Sequence, residues 1–509
     1  MLPSLRGLGP RRVAGPGPGY RLAPHRRRML RLITGLAALV TLAALAVLPG
    51  SAATARSPAA RSGGSVTFTH RTVASPAAFA AAAGGAVTPI PSVAGQSMIQ
   101  LQSPSPLSTA RCLATIKLRC YSPLQYRVAY DLAPLYQKNI TGQGQTIMIV
   151  DSFGSPTIKQ DLRAFDQQWG LPNPPQLNVL SLGQWKFDRS NATMDGWAEE
   201  TTLDVEYAHA IAPGATIDLV ETPVAETEGV TGFPEMMAAI KWVIDHTKVD
   251  VISQSFGATE DTFPGFGQGN YTSIDGLRYA FRDAAKRDVT VLAASGDSGA
   301  TNDKADGATL YPTPAVAWPS SDPLVTSVGG TQLQLAQDGN KIQPDQVWND
   351  EYGASGGGRS AVFGQPAYQN GVSSVVDGRR GTPDISMSAA VSGGAWIYQS
   401  FEPGGPGWEI LGGTSEATPI FAGVVALASQ KAGHPLGNID GALYALGARS
   451  RLRNGPQNTG IVDVTTGSNT FGNVTGYAAK PGYDLASGWG TIDGAAFVPA
   501  LAQAATQHP

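Results

Sequence analysis

Apolar residues in this chain gather into short, nearly continuous runs separated by longer amphipathic stretches. Residues 146–153 (TIMIVDSF), 249–256 (VDVISQSF), 289–294 (VTVLAA) and 324–328 (LVTSV) are such runs. Runs of this kind fit strands buried on both faces. Helical periodicity intervenes at 157–169, 199–210, 235–246, 274–286 and 415–430. Strand and helix in alternation predict an α/β fold, a mostly parallel sheet flanked by helices. One large domain over 121–502 accounts for these elements, followed by a short tail at 503–509.

Upstream of residue 121 the texture changes. Arg26, Arg27, Arg28 and Arg31 precede the apolar run 32–48 (LITGLAALVTLAALAVL), which ends in Pro49-Gly50 and small residues. Positive, apolar, then small is the order of an export signal, so 1–53 is read as leader and signal peptide and the product as secreted. The alternative is an uncleaved membrane anchor through 32–48, since 17 apolar residues reach the lower limit of a span. Residues 54–120, rich in Ala, Ser, Pro and Gly, are expected to be a low-complexity linker or short propeptide. Cys112 and Cys120 fall there, outside the hydrophobic body. Eight residues apart, they suit one small loop closed in an oxidising compartment.

Composition narrows the function. Of 509 residues, 42% are hydrophobic and 15% charged, so the chain can bury a core and its surface polarity is largely uncharged. The net charge of −3 hides an asymmetry: the first 50 residues hold eight arginines and no acid. The remainder carries 28 basic against 39 acidic residues, about −11, which argues against nucleic acid as a partner. Two cysteines without a His-Glu-x-x-His pattern leave no place for zinc chemistry.

Three segments carry candidate chemistry. In GGTSEATP (412–419) a glycine-flanked Ser415 opens an apolar helix, which makes it an N-cap by itself and a nucleophile candidate in company. A serine nucleophile needs a base, yet His25, His70, His209, His246, His434 and His508 all lack a glycine-rich catalytic context. In ETTLD, Glu200 and Asp204 are four residues apart, about 40° from each other on one helix face. Such a pair is either a solvated face or two carboxyls sharing a proton. Glu199 is the rival of Glu200 and sits about 100° round the helix. The spacing to Asp204 selects Glu200, and Asp195 and Glu206 are read as surface residues. In AASGDSG (293–299), Asp297 follows a buried strand, as an Asx-turn or as a protonated carboxyl beside an oxyanion.

Together with VISQSFG (251–257), GASGGGRS (353–360), RGTPDISMSA (380–389) and VDVTTGSN (462–469), these segments resemble the sedolisin family, serine-carboxyl peptidases related in fold to subtilisin. The resemblance covers about 121–500. It implies a subtilisin-like fold with Ser415 as nucleophile, Glu200 as general base and acid, Asp204 holding Glu200, and Asp297 in the oxyanion hole. The chemistry is consistent with acid. A histidine with an ordinary pKa of about 6.5 is protonated there and cannot accept the serine proton, whereas a carboxylate near 4 can. The implied activity is acyl-enzyme hydrolysis of protein or peptide substrates, rising as pH falls below about 6.

The resemblance also implies a C-terminal calcium-binding loop region holding one structural Ca²⁺. Asp463 and Asp484 would supply carboxylates, and Val464, Lys480 and Gly482 backbone carbonyls, with Lys480 where the family has glycine. A folded prodomain is usual in the family, and the stretch between signal and Tyr121 is shorter than one. A monomer without stable membrane insertion is expected once the signal is cleaved. The alternative from another class is a catalytically silent, secreted, calcium-stabilised binding protein of the same fold.

Overall fold

The structure is a computed structural model that describes residues 68–71, 98–101, 105–402, 405–451 and 458–505. The expected signal and anchor segment lies outside the described residues. Among them no helix is long and apolar enough to cross a membrane.

The central sheet is built from β1 (Thr146–Ser152), β2 (Leu177–Ser181), β3 (Thr216–Thr222), β4 (Val251–Gln254), β5 (Thr290–Ala294), β6 (Thr326–Gln332), β7 (Gln346–Val347) and β8 (Ile385–Ser388). The order is β7-β6-β5-β4-β1-β3-β2, with β8 also paired to β6, and every pairing except β6–β7 is parallel. The four strands expected from apolar runs are β1, β4, β5 and β6, and every residue of β1 is buried. Two others were hidden by their composition. In β3 (TIDLVET) carboxylates interrupt the run, and β2 is an edge strand buried only in part. The chain leaves β1 for β2 and β3 on one side, then crosses to β4 on the other. Strand order therefore reverses around β1, and a crevice opens at the carboxyl ends there.

Helices α1 (Ile158–Trp169), α2 (Ala192–Ile211), α3 (Phe233–His246) and α4 (Thr414–Ala432) cover the sheet, with Thr272–Leu277 and Tyr279–Ala285 completing the segment expected at 274–286. α2 begins seven residues before its expected start because Asn191 caps it. The Asn191 side-chain oxygen accepts from the Thr193 and Met194 amides at 3.0 and 3.3 Å. A second, five-stranded sheet contains β9 (Gly394–Gln399) and β10 (Gly407–Leu411), with Cys120–Tyr121, Met98–Leu101 and Phe68–Arg71.

Residues 109–121, within and beside the segment expected to be linker, form helix Thr109–Thr115 and a strand. Cys112 and Cys120 form a disulfide and are buried in the main core, not outside it. In the RGTPD motif Arg380 and Asp384 form a buried bidentate pair, to which Tyr444 and the Ser327 amide also donate at 2.9 and 2.7 Å.

α2 and α4 cross at Gly423. A Cβ there would lie 2.6 Å from Ile211 Cβ and 3.3 Å from the Ala208 carbonyl, so the two backbones meet where only glycine fits. Gly423→Leu should force the helices apart and cost about 1–3 kcal/mol of stability. A lowered urea midpoint relative to wild type checks this.

Candidate active site

α4 places Ser415 at its second residue, buried, with an Oγ that makes no hydrogen bond among the described residues. Four residues on, Pro419 has no N–H, so the Ser415 carbonyl lacks its usual helical donor. The Ser255 hydroxyl approaches that carbonyl at 3.3 Å and the Asp204 carboxylate at 2.8 Å. Ser255, just past β4, thus ties the carboxyl cluster on α2 to the serine on α4.

Glu200 and Asp204 are both buried on α2 and face each other. A third carboxyl, Asp151 at the end of β1, joins them. Burial raises Asp204 well above the ordinary carboxyl range, and the Asp151 and Glu200 charges push it further, against the Ser255 hydroxyl. Asp151 is pushed up to about 7 by burial and by Glu221, with Thr201 pulling the other way. Asp151 and Asp204, desolvated with no cation among these influences, both hold their protons above the ordinary carboxyl range, and the Glu200 charge adds to the effect on Asp204. Asp151 was missed from the sequence, although a lone acid ending an apolar strand was the same signal that singled out Asp297.

Asp297 lies half-buried in the turn after β5. Its Oδ1 accepts from the Thr414 amide at 2.7 Å and the Thr414 hydroxyl at 2.8 Å, so it is anchored to the residue before Ser415. The GASGGG segment runs alongside: the Ala354 amide donates to the Asp297 carbonyl and the Gly356 amide to the Gly296 carbonyl, at 2.9 and 2.7 Å. The cluster from Asp297 to Ser415 to Asp204 is therefore continuous through hydrogen bonds and chain neighbours.

Two readings of α2 are corrected. Asp195 and Glu206 are buried, not surface residues. With Glu199 they form a second stripe roughly 120° from the Glu200 face. Asp195, Glu199 and Glu402 offer oxygens within 4.8 Å of one another. Burial, Glu409 and Glu402 raise Glu199 well above the ordinary range, and burial with Asp161, Asp166 and Glu409 does the same for Glu206. Glu199 therefore turns to these acids and away from Asp204. The helix pattern missed this stripe because α2 is buried on nearly every side, which no amphipathic reading anticipates. His209 is buried against Asp166 at 3.1 Å and the Pro172 carbonyl, while His246 stacks on Trp242.

In the C-terminal region Asp463 Oδ2 accepts from the Gly482 amide and from Arg451, both at 2.7 Å, and Asp463 Oδ1 is buried without a hydrogen bond. Asp484 accepts from the Lys480, Ala486 and Ser487 amides at 2.9 Å each. Two carboxylates gripping the 480–482 turn, one with an orphaned oxygen, fit a hard cation, with Arg451 as the competing charge.

Residues 192–442 match the subtilase family. The chain is 33% identical to kumamolisin from Bacillus sp. (strain MN-32) over 397 residues, 76% of this chain and 64% of kumamolisin. It is 29% identical to sedolisin from Pseudomonas sp. (strain 101) over 394 residues, 76% of this chain and 62% of that one. The solved structure of Pseudomonas sedolisin, a serine-carboxyl proteinase complexed with two molecules of pseudo-iodotyrostatin, superposes with a TM-score of 0.61 at 28% identity, covering 75% of this chain and 97% of that one. The chain belongs to the sedolisin family. Its fold is accordingly subtilisin-like. The chain spans a little under two thirds of the length of kumamolisin and sedolisin. Human tripeptidyl-peptidase 1 is more distant in extent, 30% identical over 320 residues, 57% of this chain and 50% of that one.

Within this family frame, Glu416 beside the candidate nucleophile was also overlooked. Burial pushes it up to about 8, with the Tyr126 and Ser388 hydroxyls pulling down. A raised folded pKa means stability that is complete below the unfolded value near 4.5 and is lost as pH climbs to about 8, about 1.4 kcal/mol per pH unit. Glu416→Gln should flatten the fall of the urea midpoint between those limits.

Proposed function

We propose that this sedolisin family member is a serine-carboxyl endopeptidase that cleaves protein or peptide substrates in acid. The observation that carries the reading is the Ser255 hydroxyl held between Asp204 and the backbone of Ser415, within a cluster of buried carboxyls at the sheet's carboxyl edge. The Glu200 carboxylate takes the Ser415 Oγ proton as Oγ attacks the scissile carbonyl. Asp204, kept protonated by its surroundings, donates to Glu200 and fixes its orientation. The oxyanion forms beside Asp297, whose protonated carboxyl donates to it while Oδ1 stays on Thr414. Glu200 then passes its proton to the leaving amine, and water repeats the sequence on the ester.

Acid favours each part. Asp151 and Asp204 hold their protons, and the mechanism needs Asp297 neutral and Glu200 ionised. Above neutrality the Asp151 and Asp204 charges would repel Glu200 and strain α2. Hydrolysis of denatured protein should therefore peak in acid and decline towards about pH 7. Ser415→Ala and Glu200→Gln should each lower kcat by about 10³-fold or more, and Asp297→Asn by about 10²–10³. An inert, folded wild type at every pH would favour a secreted binding protein instead.

One structural calcium ion is proposed at Asp463 and Asp484 with the carbonyls of Val464, Lys480 and Gly482. It takes no part in the reaction and ties the 480–484 turn to the strand at Ile461–Val462. Chelator should lower Tm. Arg451→Ala should tighten calcium binding, measured by titration calorimetry, because Asp463 then loses its competing cation. Export through the 1–53 leader and signal segment completes the proposal: the product acts outside the cell as a monomer, and its recovery from culture medium without detergent tests whether 32–48 is cleaved.

A further inference from the structure

A cavity of about 530 Å³ opens at the carboxyl ends of β1, β2 and β3, lined by Phe153, Ser155, Ser181, Gly183, Trp185, Phe187 and Glu221 among others. Three aromatic rings contribute to its wall. The Trp185 indole N–H donates to the Phe153 carbonyl at 3.2 Å, and Phe187 packs edge-on against Phe401. Phe153 has φ of +62°, a left-handed conformation that a bulky side chain rarely adopts and that marks functional segments. Next to it Gly154, φ +67°, leaves room for Glu221: a Cβ there would fall 1.9 Å from Glu221 Oε1.

Glu221 is a built-in carboxyl. It is 6% exposed, and its Oε2 accepts from the Ser181 hydroxyl at 2.6 Å. Lys159, exposed on α1, is the positive charge that acts on it, and burial outweighs that help. In the sheet register Glu221 stands directly beside Asp151, whose proton affinity it raises. The cavity is thus the neighbour of the carboxyl cluster, one strand spacing of about 4.8 Å outward. At about 3.3 Å per residue an extended peptide bridges from the cluster into the cavity within two to four residues.

A carboxylate in a pocket lined by three aromatic side chains has the chemistry of a cation site: an ion pair at the end and aromatic surface for the stem of a long basic side chain. We propose that this cavity is a specificity subsite that receives a lysine or arginine side chain of the substrate, two to four residues from the scissile bond. The proposal rests on the peptidase reading above and names the substrate class of that site. Because burial raises Glu221, the subsite loses its charge early on acidification, so preference for basic residues should weaken as pH falls.

The test is kcat/KM for matched peptides in which arginine or norleucine is scanned across the positions flanking the cleaved bond. The ratio within each enzyme cancels losses of catalysis shared by both peptides. Wild type should favour arginine about 10-fold or more at one such position, chiefly through KM, and less at about pH 3.5 than at about pH 6. Glu221→Gln, which keeps the contact with Ser181, should bring the ratio to about 1 at both pH values, and Trp185→Leu should lower it. The proposal is overturned if cleaving wild type shows no basic preference at any position, or if Glu221→Gln retains it. Should wild type cleave nothing, the peptidase reading fails separately. Binding of N-acetylarginine amide to the full chain, followed by tryptophan fluorescence, then decides: binding weakened 10-fold or more by Glu221→Gln upholds the subsite, and no binding by wild type rejects it.

Discussion

Close contact between α2 and α4 is the constraint on which this molecule depends. One helix carries Glu200 and Asp204, the other Ser415, and their backbones are brought together where Gly423 meets Ile211 and Ala208. Any side chain larger than glycine at that crossing would set the separation and disturb the link that Ser255 makes between Asp204 and the Ser415 carbonyl. The sheet supports the same geometry from below, since β4 delivers Ser255 and β5 delivers Asp297 to the two sides of the α4 N-terminus.

Burying α2 this deeply has an electrostatic consequence. Its acids are removed from water in two stripes, and neither stripe is neutralised by basic residues among the influences that raise Asp204, Glu199 and Glu206. Protons do that work instead. Groups whose folded pKa is raised add stability below their ordinary values and lose it as pH rises through the folded ones. Asp151, Asp204, Glu199, Glu206 and Glu416 all push in this direction, so the fold and its proposed reaction draw on the same low pH.

Legibility of the site in the sequence followed local geometry. The i, i+4 relation of Glu200 and Asp204 was readable because helix periodicity alone puts them on one face. Ser415 and Asp297 stood out as polar residues in glycine-rich segments at element boundaries, and their proposed roles rest on the resemblance of those segments to the sedolisin family. Asp195 and Glu206 were misread because periodicity says which residues share a face and nothing about how many faces are covered. β3 was missed for a related reason: its Asp218 and Glu221 look like solvent-facing positions, yet both are buried in the sheet.

By itself the sequence determined the alternation of strands and helices, the ordered motifs of the sedolisin family and the carboxyl pair, because each depends on residues near one another along the chain. Only the tertiary structure decided that Cys112 and Cys120 lie in the core and that Asp151 joins the α2 acids. It alone put Ser255 between Asp204 and the Ser415 carbonyl, and Glu221 in one cavity with Phe153, Trp185 and Phe187. Those relations join residues tens to hundreds of positions apart, and their energies come from desolvation and backbone approach, which exist only after the layers have closed.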